Sequence, residues 1–265
     1  MKKIGFIGCG NMAKAMIGGI VGKKLMAPED IIASNRSSQA LDYARETWGI
    51  AVTEDNLTVA GEAEILVLAV KPQFYSMVIG EIKDIVREEQ LIVSIAPGKT
   101  LAWMEEQFGR PLKFVRCNPN TPALVGEGIT SVSPGKRVTE KELKRVMDML
   151  ESFGKASIVP ETMSEAVIAV SGSAPAYVFM FIEAMADGAV SLGMPRAQAY
   201  EFAAQAVLGS AKMVMDTGMH PGALKDMVCS PGGTTIQAVR VLEDKGLRSS
   251  VIEAMTACAE KAKGM

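Results

Sequence analysis

The stretch Lys3-Ile4-Gly5-Phe6-Ile7-Gly8-Cys9-Gly10-Asn11-Met12-Ala13 is an apolar run that stops on a glycine, turns, and passes at once into a helical pattern. The spacing Gly8-x-Gly10-x-x-Ala13 suits a dinucleotide. The first glycine allows the tight turn, the second lets a pyrophosphate approach the backbone, and the small Ala13 lets helix and strand pack closely. Such a triplet alone is a common tight turn. Here an apolar strand precedes it, an amphipathic helix follows, and a further strand stands at the expected distance.

Outward from this segment, strand-like runs are expected at 3–8, 30–34, 64–70, 90–95 and 112–116, with weaker ones at 129–133 and 156–159. Helical patterns at 11–24, 38–48, 73–88, 100–108 and 139–152 fall between them. This alternation predicts a doubly wound, mostly parallel sheet. The run Ile65-Leu66-Val67-Leu68-Ala69-Val70 lacks polar alternation, as a central strand covered on both faces should. After Pro160 no strand is expected, only helices broken at 171–175, 193–195, 218–222, 230–233 and 245–246. The chain is therefore predicted to be an α/β protein. A Rossmann-like dinucleotide-binding domain would occupy residues 1–160, and an all-helical domain residues 161–265.

The helical pattern at 176–192 is apolar nearly all round, with Glu183, Asp187 and Ser191 as one thin polar stripe, and 197–216 is almost as poor in charge. Helices this apolar must be enclosed, and a domain of roughly a hundred residues is small to do so alone. An oligomer is expected, against a compact monomeric bundle as the alternative. The eighteen methionines, Met180, Met185, Met213 and Met215 among them, are expected to fill the core.

A formal net charge of −2 offers no electrostatic case for nucleic acid or an anionic membrane surface. The most apolar stretch, 174–193, carries Glu183 and Asp187 in mid-segment, which argues against a membrane span. With no convincing signal peptide, the protein is expected to be cytoplasmic. Four widely separated cysteines (Cys9, Cys117, Cys229, Cys258) make neither a disulfide framework nor a metal site. The single histidine, His220, rules out multi-histidine metal centres and precedes Pro221-Gly222 in a turn, where a structural role is expected. The chemistry must need little from ionisable side chains.

At the end of the second strand, Ser34-Asn35-Arg36-Ser37 offers a guanidinium and hydroxyls where an NAD-specific site usually places an acid. No Asp or Glu occurs between Ile31 and Ala40, so NADPH is favoured, with NADH possible. Three further loops, Val70-Lys71-Pro72, Ile95-Ala96-Pro97 and Asn118-Pro119-Asn120, follow strand carboxyl ends, the edge where such sheets bind ligands.

Near the other end of the chain, Ser230-Pro231-Gly232-Gly233-Thr234-Thr235 runs straight into a helical pattern, with Ile236, Val239 and Leu242 on one face. A glycine-loosened helix start presents unpaired N–H groups to a small anion, here a substrate carboxylate. Ser230 and Thr235 are equally suited to capping that helix. Two anion cradles in one chain point to an enzyme joining a phosphate-bearing cofactor to a carboxylated substrate.

Cys229-Ser230-Pro231-Gly232-Gly233-Thr234-Thr235 resembles the signature of the pyrroline-5-carboxylate reductases. Ala69-Val70-Lys71-Pro72, Arg116-Cys117-Asn118-Pro119-Asn120-Thr121-Pro122 and Ser171-Gly172-Ser173-Ala174-Pro175-Ala176-Tyr177 support the resemblance in the expected order. Asn118, Pro97 and Ala174 depart from it, standing where Met, Ala and Gly are commoner. The resemblance implies reduction of Δ1-pyrroline-5-carboxylate to L-proline by NADPH or NADH, in an intertwined dimer that assembles further, as into decamers. It implies cofactor contacts at Ile7, Gly8, Cys9, Gly10, Asn11, Met12, Asn35 and Asn56, and at Ala69, Val70, Lys71, Pro72, Ile95, Ala96 and Pro97; Arg36 joins them from the charge argument. It places the substrate carboxylate on Ser230, Gly233 and Thr234, with Thr235 near the ring nitrogen as the catalytic residue.

Overall fold

The computed structural model describes residues 2–263. Its elements in chain order are β1 (Lys2–Ile7), α1 (Asn11–Gly22), β2 (Ile31–Ser34), α2 (Ser38–Trp48), β3 (Ala51–Thr53), α3 (Asn56–Glu62), β4 (Ala63–Leu68), α4 (Tyr75–Ile82), β5 (Leu91–Ser94) and α5 (Leu101–Phe108). There follow β6 (Lys113–Asn118), β7 (Gly128–Pro134), α6 (Glu140–Leu150), β8 (Gly154–Ile158), α7 (Ser164–Val167), α8 (Ala174–Ser191), α9 (Arg196–Thr217), α10 (Pro221–Val228), α11 (Thr234–Asp244) and α12 (Leu247–Lys263).

The strands form one sheet in the order β3-β2-β1-β4-β5-β6-β7-β8. All pairs are parallel except β6 with β7. The chain reverses its winding between β1 and β4, the point of such a sheet where nucleotides bind. The apolar run of β4 has a direct explanation. Ile65 and Val67 pack into a core with Met16, Ile17 and Ile20 of α1, while Leu66 and Leu68 enter a second core with Val78, Ile79 and Ile82 of α4. Successive strand residues feed opposite faces, so a strand covered on both faces has no polar position.

Two elements go beyond the sequence expectation. β3 is a three-residue strand of half-buried residues, too short to carry a periodic signal. α3 is started by Asp55, whose carboxylate accepts from the N–H groups of Leu57 and Thr58, both at 3.0 Å. The helical pattern expected at 73–88 is realised as the shorter α4.

The chain divides into two compact units. Among the described residues, the first comprises 2–172 and 258–263; the second is Ser173–Ala257. Residues between Glu161 and Gly172 cluster with the sheet for a visible reason. Glu161 Oε1 accepts from Arg116 Nη1 (3.0 Å) and from the N–H of Leu101 (2.8 Å), Arg116 Nη2 donates to Ser164 Oγ (2.7 Å), and Asn120 Nδ2 donates to the carbonyl of Ser171 (3.0 Å).

The second unit is helical throughout, with α8 and α9 packed as a hairpin about the turn at Gly193 (φ +95°). The expectation that its methionines fill a core fails: Met180 is 69% exposed and Met215 57%, beside Phe179 at 63% and Phe202 at 65%. The unit has too few helices to cover faces that are apolar all round. By length and composition the helical run Glu161–Ser191 would also suffice to cross a membrane. It nevertheless carries Glu183 and Asp187, the latter paired with Arg196 at 2.6 Å.

Candidate active site

At the winding reversal, β1 ends on a turn that needs glycine. Gly8 has φ +98°, and a Cβ there would stand 2.8 Å from the backbone of Ala69 and Val70. Its N–H donates to the carbonyl of Ser34 (2.9 Å), and that of Ala69 donates to Ile7 (2.8 Å), so the ends of β1, β2 and β4 are drawn together. Gly10 then caps α1 with φ −79° and no side-chain hydrogen bond. A Cβ on Gly10 would meet nothing within 4 Å. Beyond it, the first-turn N–H groups of Asn11, Met12 and Ala13 have no partner within the helix. This open, cap-free mouth fits a dinucleotide diphosphate.

Beside it lies a cavity of about 230 Å³ whose walls include Gly8, Asn35, Arg36, Asn56, Val70 and Phe74. Both asparagines are held in place. Asn35 Oδ1 accepts from the N–H of Cys9 (3.2 Å), and Asn56 Oδ1 accepts from the buried Ser34 hydroxyl (2.7 Å). The guanidinium of Arg36 lies 4.3 Å over the ring of Phe74. The sequence reading missed Phe74 and the two acids of this cavity, Glu54 and Glu81. All three are remote in sequence from the Arg36 loop, and only the sheet brings them to it.

Ala69, Val70, Lys71 and Pro72 follow β4, and Ile95, Ala96 and Pro97 follow β5, on the same edge. A residue absent from the sequence reading ties these two loops. The buried hydroxyl of Tyr75 donates to the carbonyl of Leu68 (2.5 Å) and accepts from Ser94 Oγ (3.3 Å). Burial pushes its pKa up to about 12, so it stays neutral and serves as a tie. Tyr75→Phe should lower unfolding stability by about 1 kcal/mol, since the Leu68 carbonyl loses the shorter of its two hydrogen bonds and keeps only the one from the N–H of Ile95 (3.4 Å). Chemical denaturation measures this, and an unchanged midpoint would show the tie to be dispensable.

The second cradle belongs to the helical unit. Gly233 caps α11 with no side-chain hydrogen bond, and its N–H donates to the carbonyl of Ser230 (3.0 Å). The capping role open to Ser230 and Thr235 is therefore not taken by either. The hydroxyl of Ser230 instead leans over Gly233, where a Cβ would lie 2.3 Å from Oγ. Thr234 and Thr235 are the first two residues of α11, exposed and half-buried respectively. His220 is committed elsewhere: its Nδ1 accepts from the N–H of Gly222 (3.0 Å), capping α10. Among the described residues no group of His, Cys, Asp or Glu side chains could hold a metal ion.

Residues 161–265 match the family described as pyrroline-5-carboxylate reductase dimerisation, and residues 3–98 the family described as NADP oxidoreductase, coenzyme F420-dependent. The pyrroline-5-carboxylate reductase of Escherichia coli (strain K12) is 53% identical over 262 residues, 99% of this chain and 97% of the relative. The chain belongs to the pyrroline-5-carboxylate reductase family. The family enzyme of Methanosarcina acetivorans is 44% identical over the same shares of the two chains. Among solved structures, a pyrroline-5-carboxylate reductase from Coxiella burnetii superposes with a TM-score of 0.93 at 37% identity, over 99% of this chain and 98% of its own. The Plasmodium falciparum pyrroline carboxylate reductase, solved with NADP bound, gives 0.89 at 32% identity, over 99% and 97%.

Proposed function

We propose that this chain reduces Δ1-pyrroline-5-carboxylate to L-proline with a hydride from NADPH, and less selectively from NADH, as the last step of proline biosynthesis. The observation that carries the reading is the pair of cap-free helix mouths, at Gly10 on α1 and at Gly233 on α11. One suits a diphosphate and the other a carboxylate. The family membership, the NADP bound to the Plasmodium relative and the NADP family matched at residues 3–98 support it.

The cofactor supplies a hydride; this chain's residues supply placement. The diphosphate is held by the N–H groups of Asn11 and Met12 over Gly8, Cys9 and Gly10, behind the buried Ile7. The adenosine end is held by Asn35, Arg36 and Asn56, and the loops at Ala69, Val70, Lys71, Pro72, Ile95, Ala96 and Pro97 line the reducing end. The Ser230 hydroxyl and the N–H of Thr234 hold the substrate carboxylate over Gly233, whose own N–H is spent on the Ser230 carbonyl. The Thr235 hydroxyl hydrogen-bonds the ring nitrogen and orients the C=N bond. A protonated imine already accepts hydride, so no strong side-chain acid is required. Hydride addition to the iminium carbon gives the neutral secondary amine, which takes its last proton from water.

In the same reading, residues 1–160 carry the cofactor and residues 161–265 the substrate and the dimer contact. A second copy covers the apolar faces of α8 and α9, and dimers assemble further, as into decamers. Glu183 and Asp187 within that surface favour protein over lipid as the cover. The enzyme is cytoplasmic and acts without nucleic acid or membrane.

The test is NADPH oxidation, followed by absorbance, on addition of pyrroline-5-carboxylate; no oxidation rejects the reading. Thr235→Ala should cut turnover at least tenfold, about 1.4 kcal/mol of transition-state binding, while leaving NADPH affinity nearly intact. Equal turnover in wild type and variant would remove Thr235 from the mechanism.

A further inference from the structure

We infer that Glu81 is the residue that limits the preference for NADPH over NADH, by holding a carboxylate against the wall where Arg36 attracts a 2′-phosphate. The inference rests on the dinucleotide reading of this cleft. Its physical basis is a chain of two hydrogen bonds. The hydroxyl of Ser34, fully buried at the end of β2, donates to Asn56 Oδ1 (2.7 Å). That contact fixes which way the Asn56 amide faces, and its Nδ2 donates to Glu81 Oε2 (2.9 Å). Glu81 sits on α4, solvent-exposed, and the Asn56 amide holds its carboxylate at the cavity it lines.

Arg36 lines the same cavity as Glu81 but spends one face of its guanidinium on the Phe74 ring, 4.3 Å away. Its N–H edge is left for an anion. The cavity thus opposes one tethered cation with one tethered anion. A 2′-phosphate is drawn by Arg36 and repelled by Glu81, whereas a 2′-hydroxyl finds the carboxylate a good acceptor. Glu54 also lines the cavity, from the loop after β3. Among the described residues nothing is seen anchoring its carboxylate, so it makes the control.

The experiment is calorimetric titration of the full chain with 2′,5′-ADP and with ADP, for wild type, Glu81→Gln and Glu54→Gln. Glutamine keeps an acceptor for Asn56, so the hydrogen-bond chain and the melting temperature should survive. Glu81→Gln is expected to tighten 2′,5′-ADP about fivefold and to leave ADP unchanged or weaker, with the gain shrinking as salt is raised. Glu54→Gln should change the ratio of the two affinities less than twofold. The ratio of kcat/KM for NADPH over NADH should rise with the calorimetric ratio. If wild type binds both nucleotides and Glu81→Gln leaves their ratio unchanged, the role of Glu81 is overturned while the dinucleotide reading stands. If wild type binds neither, the dinucleotide reading itself falls.

Discussion

Gly10→Ala is expected to weaken NADPH binding at least about a hundredfold while leaving the protein folded. The backbone at Gly10 (φ −79°, ψ −174°) is open to any residue, and a Cβ there would meet no atom within 4 Å. The cost to the fold is then that of an alanine cap, about 1 kcal/mol. The cost to the ligand is different in kind. The methyl group would project into the mouth of α1, where a diphosphate has to come within hydrogen-bond reach of backbone N–H groups. Charge-assisted hydrogen bonds contribute about 1.5–3 kcal/mol each, so losing one or two gives the expected factor. Gly8→Ala supplies the contrast. With φ +98° and backbone atoms of Ala69 and Val70 only 2.8 Å from the new Cβ, it must push β1 from β4 and lose stability first. Melting temperature and NADPH affinity, measured on both variants, separate the two cases. Gly10→Ala binding NADPH like wild type would move the phosphate site away from α1.

The same pair of glycines shows how far the sequence could be read. Gly8-x-Gly10-x-x-Ala13 announces a strand, a turn and a helix in one local segment, and the unbroken run at Ile65–Leu68 announces a strand covered on both faces. Local chemistry of that kind survives translation into structure. The half of the nucleotide cavity formed by Phe74 and Glu81 does not, because neither residue belongs to a motif and the sheet alone brings α4 against the β2 loop. Tyr75 was hidden for a related reason: its hydroxyl matters through the Leu68 and Ser94 atoms it meets, not through its neighbours in sequence. The start of α3 went unread although Asp55 and Thr58 stand at capping distance, because the three-residue β3 before it masks the pattern. The methionines of α8 and α9 mislead in the opposite direction. Their helical spacing is that of a core, yet in this chain those faces are exposed, and composition cannot say whether the cover is in the same chain or another.

At the second cradle, Gly233→Ala should raise KM for pyrroline-5-carboxylate about thirtyfold, near 2 kcal/mol, with NADPH affinity and melting temperature close to wild type. The backbone angle there (φ −73°) again suits any residue. The obstruction is a single movable atom: the new Cβ would lie 2.3 Å from Ser230 Oγ, with the Ser230 carbonyl oxygen next at 3.1 Å. A serine hydroxyl escapes such a contact by rotating about χ1, which costs the fold little. Rotation, however, takes the hydroxyl away from the mouth of α11 and removes one donor from the substrate carboxylate. Because the alanine acts by displacing Ser230, its effect and that of Ser230→Ala should not add. The double variant is expected to match the worse single variant within about twofold, the signature of two residues acting through one contact. Steady-state kinetics on the two single variants and the double variant decide the matter. Additive losses would mean that Gly233 and Ser230 serve the substrate separately, and an unmoved KM in Gly233→Ala would place the carboxylate elsewhere.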